Sequence, residues 1–243
     1  MGRSPREDEP ALDALQLGER LRAVREQAGI GVRELSRRVG MSASMISQLE
    51  RGLTMPSVTT LYAITTALQV SLDALVAPDP AALAPEAEPA LAAASVMETA
   101  PPTLAEFAAG GATLTPARED APGPVARRTA GRRIALEAGV RWELLAATPA
   151  PDVEFLRVTY EPGGASAPAD ALQRHEGREY GTVVEGRLGV TVGFTTYELE
   201  AGDSISFAST MPHRLFNLHD DRATTGFWVV VGRAGGADPA VYL

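Results

Sequence analysis

The sequence of 243 residues contains no cysteine, which excludes disulfides and thiolate metal sites and fits a reducing compartment. Lysine is absent too, so all 22 basic residues are arginine. Arginine forks suit phosphate and guanine, but beside so much alanine the absence of lysine reads as genomic composition bias rather than selection for a site. No run of about 18 or more apolar residues escapes proline, glutamate or arginine, and the opening MGRSPREDEP is charged without an apolar stretch. The expectation is a soluble, unexported, cytoplasmic protein with no membrane partner.

A hydrophobic content of 45% at this length allows cores for two modest domains. The net charge of −9 looks unfavourable to a nucleic-acid partner until it is divided along the chain. Residues 1–76 carry nine arginines against nine acidic residues, and residues 77–243 carry 13 against 22. Within 16–56 the balance is seven arginines to four glutamates. A mildly basic segment is thus joined to an acidic remainder that should repel non-specific DNA and sharpen dependence on a cognate site.

Inside that basic segment, Val32 to Gly52 reads VRELSRRVGMSASMISQLERG. Leu35 and Val39 share one face of a helix, and Gly40 follows where the chain must turn without a Cβ. Ser42 is placed to cap a second helix, Ala43 to Glu50, whose Ile46 and Leu49 turn back toward the first. That leaves Ala43, Ser44, Ser47 and Gln48 facing outward, small and polar, with Arg51 and Gly52 behind them, a surface suited to a major groove. The candidate DNA-binding residues are therefore Ser42, Ala43, Ser44, Ser47, Gln48 and Arg51. Leu17, Leu21 and Val24 give an earlier helix its buried stripe. Ser57, after Pro56, caps a later one carrying Val58, Leu61, Ile64 and Leu68, and Val70, Leu72 and Leu75 close the core.

Any one of these stripes alone would suit an ordinary helical bundle; their joint spacing does not. Residues 17–76 resemble the five-helix DNA-binding domain shared by phage repressors and the xenobiotic-response-element family of bacterial regulators. The domain is placed at 12–76. One departure is Gly31, where that family has serine or threonine capping the second helix, so the cap is expected to be weaker.

From Ala77 to Pro124 the chain turns to alanine, proline, glycine and acidic residues, a linker whose proline density forbids a long helix. A flexible chain of about 45 residues spans roughly 35–40 Å root-mean-square, a tether permitting many geometries. From Val125 to Arg233, ahead of a tail at 234–243, short β-rich runs alternate with turn signals. Arg132–Leu136, Val153–Tyr160, Tyr180–Val184, Leu188–Val192, Ser204–Phe207 and Thr224–Val231 read as strands, broken at Gly139, Gly163-Gly164, Gly186 and Gly202-Asp203. Such spacing suggests an all-β barrel or jelly roll.

Within it stand Gln173, His175, Glu179 and Gly186, then Gly202, His213 and Asn217. RHEGREYGTVVEG followed by AGDSISFASTMPHRLFN resembles the two signature motifs of the cupin superfamily, an all-β double-stranded β-helix. In that pattern Gln173 stands at the first histidine position, His175 at the second, Glu179 at the acid and His213 at the last. Ala208 and Thr210 replace the expected proline and glycine, so the resemblance rests on the ligand spacings. On a regular strand 173, 175 and 179 would share parity and face one way, where a second strand bearing His213 could complete a cluster. Two imidazoles and a carboxylate form a facial set for a divalent metal such as Fe, Mn, Ni or Zn, and Gln173 could add an amide oxygen. The alternative is a metal-free polar pocket in which the same side chains bond one another. His219 is expected in solvent, with Asn217 and Asp203 shaping turns.

Taken whole, the chain resembles the bacterial helix-turn-helix/cupin transcriptional regulators. The resemblance implies a cytoplasmic, nucleoid-associated homodimer on double-stranded operator DNA, controlled by a small-molecule effector in the cupin domain. Trp142, Arg157, Tyr160, Arg178, Tyr180 and Phe216 are candidates to lie near that effector. The runner-up is a metal-dependent cupin oxygenase or epoxidase carrying a helix-turn-helix-like domain. A third reading is a purely structural, dimerising barrel.

Overall fold

The computed structural model of the protein describes residues 11–76, 125–126, 132–147, 150 and 152–232. The expected linker at 77–124 and tail at 234–243 lie outside the described residues. The N-terminal part folds as α1 (Ala14–Gln27), α2 (Val32–Val39), α3 (Ala43–Glu50) and α4 (Val58–Leu68), followed by a short α5 (Leu72–Val76). The bundle is thus four full helices. The fifth expected element is one helical segment of five residues, whose Leu72, Leu75 and Val76 are buried.

Each helix begins where the local chemistry satisfies its free amides. Asp13 accepts from Gln16 N at 2.8 Å while the Gln16 side chain accepts from Asp13 N, a capping box on α1 that the sequence reading did not include. Ser42 accepts from Met45 N at 3.1 Å and Ser57 from Thr60 N at 3.2 Å, as expected. Gly31 supplies no side-chain cap to α2. Gly40 ends α2 at φ 69°, the left-handed conformation that makes the turn into α3. Leu17, Leu21, Leu35, Ile46, Leu49, Val58, Leu61, Ile64 and Leu68 are buried together, with Val24, Val39 and Val70 partly buried against them. Each full burial contributes about 1.5–3 kcal/mol.

The C-terminal part is all antiparallel β. Its strands are β1 (Arg133–Leu136), β2 (Val140–Leu144), β3 (Val153–Tyr160), β4 (Arg178–Glu185), β5 (Arg187–Val192), β6 (Thr195–Glu200), β7 (Ser204–Ala208), β8 (His213–Asn217) and β9 (Thr224–Val231). They form a six-stranded sheet in the order β1-β2-β3-β9-β4-β7 and a three-stranded sheet β6-β5-β8. Buried residues of both sheets, Trp142, Leu156, Val158, Trp228 and Val230 with Leu188, Val190 and Leu215, belong to one hydrophobic core. Six strands are legible from hydrophobic runs; β2, β6 and β8 are not among them. β6 is an edge strand with one buried residue in six, so it lacks the alternation by which strands are recognised. β8 is short and follows Pro212 directly.

Helices and sheets meet through backbone and side-chain hydrogen bonds. Leu12 N donates to Arg133 O at 2.7 Å and Glu137 N to Pro56 O at 3.0 Å, and α4 lies against the β-domain through Thr59 and Tyr62. Among the described residues no helix is long and apolar enough to cross a membrane.

Candidate functional site

Glu179, the second residue of β4, points between the sheets and is 3% exposed. Its Oε2 accepts a hydrogen bond from Trp228 Nε1 at 2.7 Å. That bond depends on Gly181, the partner of Trp228 across β4 and β9. A Cβ at 181 would stand 2.0 Å from the indole ring. The other carboxylate oxygen, Oε1, lies 3.0 Å from His175 Nε2 and 3.0 Å from His213 Nε2.

Those separations are short, but their angles are not those of hydrogen bonds: Glu179 Oε1 and both Nε2 atoms are buried without a hydrogen-bond partner. Each imidazole turns its other nitrogen to a carbonyl, His175 Nδ1 to Glu176 O at 2.9 Å and His213 Nδ1 to Met211 O at 2.8 Å. Donation from Nδ1 assigns the proton there and leaves Nε2 with a lone pair. Two imidazole lone pairs and a carboxylate oxygen then face one point, with the ligand atoms all within 4.8 Å of one another. Such a set repels itself unless a cation or a proton lies among its members. This His₂Glu group, with its outer nitrogens held by carbonyls, fits a divalent metal that keeps open positions for other ligands.

Without a metal, protons take that role. Burial alone would raise the pKa of Glu179, but the two imidazoles beside it hold the carboxyl well below the usual carboxylate range. Burial likewise disfavours charge on His213, yet the Glu179 carboxylate outweighs it and raises the imidazole's pKa. Tyr160, deep in the same interior, is pushed upward by burial first and by the Glu179 charge second, so its phenol stays neutral.

The three residues converge, but not along one regular strand. Gln173 and His175 lie in the loop before β4, and Gly177, at φ 104°, bends the chain ahead of Glu179. Shared parity along one strand, the expected cause, is therefore not what brings them together. Gln173 and His213 exchange backbone hydrogen bonds at 2.9 and 2.8 Å, and His175 N donates to Ser209 O at 3.1 Å, which pins the loop across both sheets. Gln173 lines the same interior, with its Oε1 3.4 Å from the Thr59 hydroxyl of the helical domain. His219 is half-buried, with its Nε2 enclosed, rather than in solvent. Asn217 and Asp203 hold turns: Asn217 bonds Tyr160 O, Arg222 O and His219 N, and Asp203 accepts from Glu200 N.

Of the residues named as candidate effector neighbours, Trp142 and Tyr160 line the interior. Arg157 pairs with Glu143 and stacks on Phe227, Phe216 lies under Arg214, and Arg178 and Tyr180 are exposed. The residue that sequence reasoning missed is Tyr62. Its ring, 7% exposed, stands 4.7 Å from the His175 ring and 5.1 Å from that of Trp142. Its only sequence signal is that Thr59, Tyr62 and Thr66 form a second helical face beside the apolar stripe of α4.

On the helical side, α3 presents Ser42, Ser44 and Arg51 exposed and Ala43, Ser47 and Gln48 half-exposed, while Ile46 and Leu49 are buried. Met45, 43% exposed, joins that surface unexpectedly. Arg51 Nε donates to Ser47 O at 3.1 Å, which closes α3. Arg25 and Glu50, both buried, meet in a two-pronged ion pair of 2.5 and 3.0 Å that ties α1 to the end of α3.

Residues 16–78 match the family model of a helix-turn-helix domain, and residues 156–230 that of a cupin domain. The chain thus joins a helix-turn-helix domain to a cupin domain and is homologous to HTH-type transcriptional regulators. The HTH-type transcriptional regulator PuuR of Escherichia coli (strain K12) is 24% identical over 206 residues, which cover 84% of this chain and 89% of that protein. The crystal structure of an HTH_3 family transcriptional regulator from Vibrio cholerae superposes with a TM-score of 0.56 at 20% identity, covering 90% of this chain and 96% of that one. The two chains share a fold. Hydroxypropylphosphonic acid epoxidase from S. wedmorenis spans 91% of this chain and all of its own at 18% identity, but a TM-score of 0.33 carries no inference about chemistry. In this helix-turn-helix/cupin chain α3 lies on the solvent-facing side of the helical domain, and the His₂Glu group lies inside the cupin domain.

Proposed function

We propose that this protein is a sequence-specific DNA-binding transcriptional regulator whose cupin domain binds a small-molecule effector. Ser44 and Gln48 read base edges in the major groove, Ala43 and Ser47 allow close approach, and Arg51 and the Ser42 end of α3 hold phosphates. The cupin interior, a double-stranded β-helix, holds a divalent metal on His175, Glu179 and His213, with Gln173 beside the coordination shell. The metal would supply open positions to an anionic or neutral donor on the effector. One helix-turn-helix covers little DNA, so the working unit is a homodimer on a pseudo-palindromic operator in the cytoplasm.

The observation that carries this reading is that one helical domain presents α3 to solvent while its α4 lies against the His₂Glu site. A ligand at that site therefore meets the DNA-binding domain directly, and coupling does not have to pass through the linker. An effector of ordinary strength would shift operator affinity by about 1–3 kcal/mol, and by linkage its own affinity would shift equally. The test is elemental analysis of purified full-length protein, then titration of a selected operator with and without hits from a small-molecule thermal-shift screen. Operator affinity indifferent to every hit would remove the sensing role. The enzymatic reading keeps the same His₂Glu set, which suits dioxygen chemistry when iron is bound. The interior beside it has a volume of about 10 Å³, and a groove of about 680 Å³ adjoins it at His175 and Gln173. Substrate turnover by the iron-loaded protein is therefore the measurement that separates the two readings.

A further inference from the structure

Tyr62 belongs to the DNA-binding domain, yet its side chain is buried in the cupin interior. Its hydroxyl donates to Glu154 Oε2 at 3.3 Å, where Glu154 is itself 5% exposed on the inner face of β3. Its ring is flanked by His175, one of the candidate metal ligands, and by Trp142, tilted 45° and 43° to them. The space left among Tyr62, Trp142, Gln173, Glu179 and Trp228 is about 10 Å³, no more than one water occupies. Small-molecule sites run to about 300–1,000 Å³, so this interior space admits no ligand while Tyr62 stays, although a groove of about 680 Å³ between α4 and the 173–176 loop adjoins Tyr62 and His175.

A second observation marks the same space as built for a ligand. Trp142 Nε1, on a residue 3% exposed, is buried without a hydrogen-bond partner. A buried N–H left unpaired is destabilising, and here it accompanies an acidic acceptor and two aromatic walls. From these positions we infer that Tyr62 is a tethered occupant of the effector site, holding the place of a planar ring of about phenol's size that carries a hydroxyl or N–H. Glu154 takes the ligand's donor, Trp142 Nε1 is available to an acceptor on it, and the His175 and Trp142 rings face its flanks. Since Tyr62 lies on α4, ligand and docked DNA-binding domain compete for one space. The inference rests on the reading of the cupin domain as a sensor, and it gives that sensor a ligand class and a lever.

The full-length protein tests it with p-cresol, the tyrosine side chain without its backbone. The chain has two tryptophans, Trp142 and Trp228, both buried beside the space, so fluorescence reports its filling. Tyr62→Ala should bind p-cresol saturably, with a change in tryptophan emission and a raised Tm. The wild type should bind at least about tenfold more weakly, because its own ring competes at a high effective concentration. Should the alanine variant fail to fold, Tyr62→Leu keeps an apolar side chain on α4 while vacating part of the space, and the same contrast is expected. Equal p-cresol binding by wild type and a folded variant, or none by the variant, overturns the inference. If the variant binds p-cresol while operator affinity stays unchanged, the tethered occupant stands and the sensing role falls instead.

Discussion

Glu50 in the helical domain and Glu179 in the cupin domain are both buried, at 9% and 3% exposure, yet only Glu50 is closed. Arg25 meets its Oε1 through Nε at 2.5 Å and its Oε2 through Nη2 at 3.0 Å. The arginine is held in turn by Ile30 O and Glu26. Each carboxylate oxygen has a donor, and the pair joins α1 to α3. Glu179 is satisfied on one side only: Trp228 serves Oε2, while Oε1 and the two Nε2 atoms around it have no hydrogen-bond partners. A buried charge with matched donors is architecture. A buried charge that faces two more acceptors without a donor between them is a candidate site, because a cation or proton among them is what offsets its desolvation.

The comparison breaks most visibly at Glu50. Glu50→Gln leaves the Arg25 guanidinium buried without its counter-charge, and a loss of about 3–5 kcal/mol is expected. Urea unfolding of full-length protein should show this as a lower midpoint for the helical transition, the same with and without added metal. A loss under about 1 kcal/mol would mean that Arg25 turns to water or to Glu26, and that the pair is not structural.

Glu179→Gln should behave oppositely. Neutralising the carboxylate removes the charge that draws a cation while keeping the shape, so the rise in Tm on adding Mn, Ni or Zn should vanish. Trp228→Phe, which removes only the donor to Oε2, should weaken metal by about 10–100-fold, the usual cost of losing an outer partner. Equal metal-induced shifts in wild type and both variants would return the group to a metal-free pocket.

The helical domain was legible because its information is local. Leu35, Val39, Gly40, Ser42, Ile46 and Leu49 state a helix, a turn, a cap and a helix within 15 residues, and the structure places them so. The pairing of Arg25 with Glu50 joins residues 25 apart and leaves no trace in either neighbourhood. In the cupin domain the residue types at 175, 179 and 213 were readable, but not the path: Gly177 and the Gln173–His213 bridge bring them together where a regular strand was expected. Tyr62 was the least legible. An aromatic on a helix reads as core of its own domain, and nothing local says that the core it fills belongs to the other one.

Smaller effects sharpen the comparison on the DNA side. Gln48→Ala should cost about 1–3 kcal/mol on a selected operator and relax discrimination at one or two base positions. Arg51→Ala should weaken all sequences alike and lower the salt slope by about one. Its Nε bond to Ser47 O ties one edge of the guanidinium to α3 and leaves the exposed remainder for phosphate. Binding curves that match wild type across salt for both variants would move the reading surface off α3.

The smallest expected effect lies at Gly31, the start of the helix that supports α3. Ser42 and Ser57 cap α3 and α4 through their hydroxyls, but α2 begins at Gly31 with no side-chain bond. Its backbone, at φ −74° and ψ 154°, is extended and open to any residue, and a Cβ there meets nothing within 4 Å. Glu34 already stands three residues on, so Gly31→Ser would create the Ser-x-x-Glu pattern of a capping box. Because glycine is itself tolerated at this position, the gain should be only a few tenths of a kcal/mol. That corresponds to roughly 1–3 °C in the Tm of a domain this small. A differential scan of full-length protein reads it directly. A lowered Tm would show that Glu34, engaged with Arg37 and Arg38, is worth more where it is than in a box. An unchanged Tm with weaker operator binding would show that the bare backbone at Gly31 serves close approach to DNA rather than the stability of α2.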